Sequence, residues 1–192
     1  MKGKLIILVG PSGSGKSSVL TELKRLKSEY VYALSATTRP MRPGEKDGEI
    51  YHFYTRERFE QGIKNEEFLE YAIVHQDHYY GLIKGPIVEA LESGKTVIRE
   101  VDIQGFDSIR ERIPGKNLVT IFITAPSTEE LVDRIVNRAA ISEDELKKRR
   151  ASMKQEIMRS RDCDYLVENR DGKLAQTTQK VIDIIASETQ NS

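Results

Sequence analysis

The octapeptide GPSGSGKS places Gly10, Gly15, Lys16 and Ser17 at the spacing G-x-x-x-x-G-K-[ST]. Chemistry asks for those residue types in that order. Glycines let successive backbone N–H groups converge on phosphate oxygens, and a following helix start adds partial positive charge. The lysine then reaches the transferred phosphate and the serine hydroxyl serves Mg²⁺. The pattern predicts a triphosphate cradle made of Gly10, Pro11, Ser12, Gly13, Ser14, Gly15, Lys16, Ser17 and Ser18, with Ser17 as the metal ligand. It does not choose between an ATPase, a GTPase and a kinase. The string DIQG, Asp102 to Gly105, fits the D-x-x-G of GTPases, but no N-K-x-D base-reading motif accompanies it, which argues against that class.

A second candidate lies in SATTRPMRPGEKDGEIYHF, Ser35 to Phe53. Arg39 and Arg42 are separated by Pro40 and Met41 and followed by Pro43 and Gly44, so proline restricts the backbone from which both guanidinium groups start. Planar forks held this way suit bidentate recognition of a phosphate, and the Tyr51 hydroxyl offers a neutral donor beside them. Two solvated loop arginines are the plainer reading of the same residues.

These groups need elements to hold them. Leu5 to Val9 is a continuous apolar run ending in Gly10, the pattern of a strand buried on both faces of a parallel sheet. TVIREVD (Thr96 to Asp102) and LVTIFIT (Leu118 to Thr124) repeat it, and DYLVEN (Asp164 to Asn169) is a weaker copy. Helices are predicted between them: SSVLTELKRLK after the glycine loop, and PIVEALESG, opened by Pro86 and stopped by Gly94. Alternation of strand and helix implies an α/β fold. Ser127 with Glu130 and Ser142 with Glu145 form S-x-x-E capping boxes, which start two further helices flanking NRAAI. That basic helical piece reads either as a lid or as a solvated charged face. Between Ser35 and Ile83, short aromatic-rich strands such as YHFYT and FLEYAIV interrupt the alternation and read as an inserted subdomain. Only SETQNS at the end reads as disordered.

Composition narrows the partners. In 192 residues, 30 basic and 30 acidic side chains cancel, so no global field argues for nucleic acid or an anionic membrane. Any anion must meet a local cluster. Cys163 is the single cysteine, which excludes an internal disulfide and a multi-cysteine zinc site and fits a reducing cytoplasm. The apolar run in MKGKLIILVG is too short for a signal-peptide core or a membrane span. His52 and His75 belong to strand patterns and read as structural, whereas His78 is expected in an exposed loop; no histidine pair has transition-metal spacing.

From about Lys4 to Ile185 the chain resembles the guanylate kinases, carrying GPSGSGKS, SATTRPMRPGEKDGEIYHF, EFLEYAIVH, YYG, VDIQG, APSTEEL and DYLVEN in that family's order. The resemblance implies a P-loop parallel-sheet core flanked by helices, with a small mixed-β nucleoside-monophosphate-binding subdomain and a helical lid. It places the core at 1–34, 84–126 and 160–192, the subdomain at 35–83 and the lid at about 127–159. It further implies transfer of the γ-phosphoryl group of ATP, with Mg²⁺, to GMP or dGMP, in a cytoplasmic monomer or homodimer with no nucleic acid or membrane partner. By the same resemblance Arg39, Arg42, Tyr51 and Tyr80 hold the GMP phosphate, and Ser35, Glu70 and Asp102 contact guanine. Arg138 and Arg149 occupy lid-arginine positions, and Asn169 belongs to the donor site. The chemistry fits the Glu70 assignment: guanine presents N1–H and its N2 amino group as adjacent donors, which an acceptor-only carboxylate matches, whereas adenine presents an acceptor at N1; a surface residue of NEEFLE is the plainer reading of Glu70.

Departures from the family leave other readings open. Leu82 stands where Ser or Thr is usual, one extra residue in HQDHYYG makes either Tyr79 or Tyr80 the phosphate contact, with Tyr80 preferred, and NRAAI replaces a glycine-rich lid turn. Lys84 stands where arginine is common and reads as a helix-start charge. A kinase for another nucleoside monophosphate or phosphorylated small molecule is one alternative; a non-catalytic guanylate-kinase-like binding module is the other.

Overall fold

The computed structural model describes residues 1–74, 77–138 and 142–190. Its core is a five-stranded sheet in which β1 (Lys4–Val9) is central, flanked by β7 (Thr96–Glu100) and β8 (Leu118–Thr124), with β2 (Val31–Tyr32) and β9 (Tyr165–Glu168) at the edges. Every pairing is parallel. The unbroken apolar character of β1 has a direct cause, because alternate residues enter two different cores. Leu5, Ile7 and Val9 pack with Leu91 and Phe106 from α3 (Lys84–Glu92) and α4 (Ile103–Arg112). Ile6 and Leu8 pack with Val19, Leu23, Val181 and Ile185 from α1 (Lys16–Leu26) and α7 (Leu174–Gln190).

A second, four-stranded sheet runs in the order β4 (Tyr51–Phe53), β3 (Ser35–Thr37), β6 (His78–Ile83), β5 (Phe68–Val74) and is mixed, with β3 parallel to β4 and antiparallel to β6. One face is sealed by α2 (Arg56–Lys64), whose Phe59 stacks between Phe68 and Tyr79 at 4.3 and 5.0 Å. The sequence reading had no helix here. Its start is Thr55, whose side chain accepts the Arg58 N–H at 3.1 Å, a local N-cap signal inside a segment otherwise dominated by strand patterns.

Two helices, α5 (Thr128–Arg138) and α6 (Glu143–Met158), complete the chain and share a small core of Ala125, Leu131, Val132, Ile135 and Met153. Ser127 and Ser142 accept from Glu130 and Glu145 N–H as the capping boxes require, at 3.2 and 3.3 Å. The altered turn Ala139, Ala140 and Ile141, the side chain of Arg138, and His75 lie outside the described residues.

Three expectations change. Helix α3 starts at Lys84, two residues before Pro86, because proline is tolerated throughout a first turn whose N–H groups have no helical partner. His78 opens strand β6 and is half-buried, not part of an exposed loop. The helical pattern of α7 runs on through Gln190 and absorbs most of SETQNS. Among the described residues no helix is long and apolar enough to cross a membrane.

Candidate active site

The donor half is the loop between β1 and α1. Gly15 caps α1 in the left-handed region at φ 89°, and no side chain caps the helix, so its first N–H groups are left for an anion. Close packing requires the glycine as well: a Cβ at Gly15 would lie 2.2 Å from Asn169 Nδ2. Asn169 is buried and donates to the Ser14 carbonyl at 2.9 Å, so it braces the loop from β9 while lining the same cleft. Arg134 of α5 braces it from the other side, donating to the carbonyls of Gly13 at 3.3 Å and Asn169 at 2.8 Å. The hydroxyl of Ser14 is buried within this cradle without a partner among the described residues.

Lys16 folds back over the loop and donates to the carbonyls of Gly10 at 2.6 Å and Pro11 at 3.0 Å. Burial holds its pKa below the ordinary lysine value, against the opposing charges of Glu100, Glu156 and Asp102. Ser17 donates to both oxygens of Glu100, at 2.9 and 3.1 Å. A hydroxyl and a carboxylate are the hard oxygen ligands that Mg²⁺ accepts while keeping waters and phosphate oxygens in its other positions. The pair therefore fits that ion.

The second group of sequence-derived residues lies on the face of the mixed sheet turned away from α2. Register decides its membership. Ser35 pairs with Leu82, and Leu82 with Glu70, so these three lie in one row, while Thr37 and Tyr80 form the next. Glu70 reaches that face through a β-bulge between Phe68 and Glu70, which sends Phe68 under α2 and Glu70 to the side shared with Ser35 and Leu82. Plain alternation would have put Phe68 and Glu70 on the same side. The guanidinium of Arg112 on α4 donates to the carbonyl of the intervening Leu69. Glu70 is pushed up to about 7, first by burial and then by Asp102, and is eased by Arg99, a backbone bond at Leu82 and Arg112.

Asp102 caps α4, its Oδ1 accepting from Gly105 N–H at 2.8 Å. The D-x-x-G string is thus a helix start. Arg39 pairs with Glu45 at 2.9 Å and lies over the rings of Tyr51 and Phe53 at 5.8 and 5.5 Å. Glu45 also accepts the Arg42 N–H at 2.8 Å, which fastens the proline-rich turn, while the Arg42 side chain is exposed. Tyr80 meets Tyr51 edge-on at 5.6 Å and its hydroxyl interacts with Arg39. Tyr79 points to the opposite face, against Phe59.

The sequence-derived residues therefore gather in two groups: Gly10 to Ser18 with Asn169, and Ser35, Arg39, Tyr51, Glu70, Tyr80 and Asp102 with Arg42 at the rim. Arg149 is not brought to either; it pairs with Glu145 one turn earlier on α6, at 2.6 Å. Sequence reasoning missed Glu100, Arg99, Arg134 and Glu45. Glu45 lay in the quoted loop and Glu100 at the end of a recognised strand, but the partner of each is set by folding.

A glycine-rich loop between β1 and α1 of a parallel sheet, with a separate mixed sheet beside which Arg39, Tyr51 and Tyr80 gather, is the layout of a P-loop protein of the kinase type. The guanylate kinase family model matches residues 2–188. The chain belongs to the guanylate kinase family. It is 42% identical to the guanylate kinase of Clostridioides difficile over 190 residues, covering 99% of this chain and 90% of the relative. It is 36% identical to that of Thermotoga maritima, covering 98% and 88%. The crystal structure of guanylate kinase from Anaplasma phagocytophilum superposes with a TM-score of 0.73 at 27% identity, covering 97% of this chain and 86% of the other.

Proposed function

We propose that the protein transfers the γ-phosphoryl group of MgATP to GMP or dGMP, giving ADP and the nucleoside diphosphate. The observation that carries this reading is the row of Ser35, Leu82 and Glu70 across the mixed sheet, with the Glu70 carboxyl and Asp102 both beside Gly105 at the start of α4. In this reading the acceptor base meets that row and the donor phosphates meet the start of α1.

The acceptor's nucleophile is a phosphate oxygen already largely ionised, so the transfer needs no dedicated general base. Catalysis then rests on positioning and charge neutralisation. In this reading Lys16 leaves the Gly10 and Pro11 carbonyls for the transferred phosphate, and the α1 N–H groups hold its neighbours. Bound Mg²⁺, held by Ser17 with Glu100 behind it, would neutralise charge on the donor phosphates. Arg39, Arg42, Tyr51 and Tyr80 hold the acceptor phosphate; Glu70 accepts from guanine N1–H and the N2 amino group, with Ser35 and Asp102 beside it. Residues 127–159 act as a lid over the 1–34, 84–126 and 160–192 core, with Arg138 and Arg149 moving onto the migrating phosphoryl group, and 35–83 as the acceptor subdomain. Closure would also exclude water as a competing acceptor.

The purified protein, given MgATP with GMP, dGMP, AMP, CMP, UMP or IMP in turn, should phosphorylate GMP and dGMP with the highest kcat/KM. Turnover of another acceptor in place of GMP would overturn the reading.

A further inference from the structure

We infer that Arg99 is a specificity-determining positioning residue, which fixes the Ser35 hydroxyl as a hydrogen-bond donor toward the 6-oxo group of the acceptor purine. The inference rests on the GMP kinase reading above and extends it to a residue outside the assigned site.

Adjacent residues of β7 serve opposite sides of the sheet. Glu100 pairs with Leu8 and turns to Ser17, whereas Arg99 pairs with Ile7, whose side chain belongs to the core beneath the acceptor cleft. A half-buried guanidinium on that apolar face needs partners. Arg99 Nη1 donates to the Ala33 carbonyl at 3.0 Å and Nη2 to Ser35 Oγ at 2.8 Å, while its buried Nε has none.

The direction of the Ser35 bond settles what the hydroxyl can do. A guanidinium only donates, so Ser35 Oγ accepts from Arg99 and keeps its own proton to give. Ser35 is 3% exposed, and its row neighbour Leu82, fully buried, offers nothing to receive that proton. Among the described residues none accepts from Ser35, so the proton is available to the ligand. Chained donation from a cation polarises the hydroxyl and strengthens its outgoing bond.

Guanine completes the match. Its O6 acceptor adjoins the N1–H and N2 amino donors, so a row presenting donor, apolar spacer and acceptor at Ser35, Leu82 and Glu70 reads that edge with two polar groups. Since Leu82 supplies no hydroxyl, recognition of O6 falls to Ser35, and its orientation falls to Arg99.

The test compares GMP, 6-thio-GMP and IMP as acceptors for the wild type, Arg99→Met, Arg99→Lys, Ser35→Ala and the Ser35→Ala/Arg99→Met double variant, with thermal melting and the KM for ATP as controls. A thiocarbonyl sulfur accepts poorly, so the wild type should favour GMP over 6-thio-GMP by about tenfold in kcat/KM. Arg99→Met should raise the KM for GMP about tenfold with kcat within twofold, and bring the GMP to 6-thio-GMP ratio near one. Its GMP to IMP ratio, which reports the N2 amino group at Glu70, should not move. Arg99→Lys should restore part of the loss, and the double variant should be no worse than Ser35→Ala. Equal losses on GMP and 6-thio-GMP, a loss confined to kcat, or multiplying effects of the two substitutions would overturn the inference. If Arg99→Met does not fold, the same ratios in Arg99→Lys and Ser35→Ala decide it. Absence of GMP turnover in the wild type would instead overturn the functional reading beneath it.

Discussion

Ser17 and Glu100 stand 83 residues apart and are joined by two hydrogen bonds, from the Ser17 hydroxyl to Glu100 Oε2 at 2.9 Å and Oε1 at 3.1 Å. The contact exists because β1 leads into α1 and the adjacent parallel strand β7 ends at the same level, with Leu8 opposite Glu100. It joins the hydroxyl proposed for Mg²⁺ to a carboxylate that also draws on Lys16.

Replacing Glu100 by Gln keeps the hydrogen bond but removes the charge. The expected outcome is a rise of about tenfold in the Mg²⁺ concentration for half-maximal rate, an order typical of partners behind a ligand, with the KM for GMP unchanged. Lys16→Ala should abolish phosphoryl transfer while melting within a few degrees of the wild type. Turnover in Lys16→Ala equal to the wild type would refute the donor assignment.

Glu70 makes activity pH-dependent in a definite direction. In the proposed role, accepting from N1–H and the N2 amino group needs the carboxylate, and burial together with Asp102 pushes the group up to about 7. kcat/KM for GMP should therefore fall as pH drops below 7, and Glu70→Gln should show a lower but flatter profile. Stability moves the opposite way. The folded pKa is raised above the ordinary 4.5, so the folded chain retains a proton that the unfolded chain loses, and stability declines as pH rises from 4.5 to about 7. At pH 8 Glu70→Gln should be more stable than the wild type by about 3 kcal/mol, with little difference at pH 4, as urea titrations at the two pH values would show.

Arg39 already holds a carboxylate, that of Glu45, so an acceptor phosphate bound there as proposed would share or displace it. Arg39→Lys, which removes the planar fork, should raise the KM for GMP at least about tenfold and leave the KM for ATP within twofold. Glu45→Ala should raise the KM for GMP less, about threefold, because it loosens the turn while freeing the guanidinium. Initial-rate kinetics in both substrates separates the two.

Gly15→Ala should damage the donor half alone. The added Cβ would meet Asn169 Nδ2 and sit at a positive φ, so a loss of about 2 kcal/mol in stability and a higher KM for ATP are expected. Calorimetric melting and ATP kinetics check both.

The donor loop was legible in the sequence because its chemistry is made by consecutive backbone groups, and glycine spacing describes those groups directly. Strands β1 and β8 were legible for a similar reason, since burial on two faces leaves an unbroken apolar run. The acceptor site was less so. The choice between Tyr79 and Tyr80 depends on which face of β6 each side chain takes: Tyr79 turns to α2, and Tyr80 stands by Arg39. Glu70 shares a side with Ser35 and Leu82 only because of a bulge, which period-two alternation does not encode.

By itself, then, the sequence determined the class of fold and the strand, glycine loop and helix that open it, and it offered the residue types from which two phosphate sites are proposed, all properties of local pattern and chain order. Tertiary structure decided the pairings. Ser17 with Glu100, Arg99 with Ser35, Asn169 with Ser14 and Arg134 with Gly13 each join segments more than 60 residues apart. Their partners are set by strand order and register, and a hydrogen bond that crosses between strands leaves no spacing in the sequence from which it could be read.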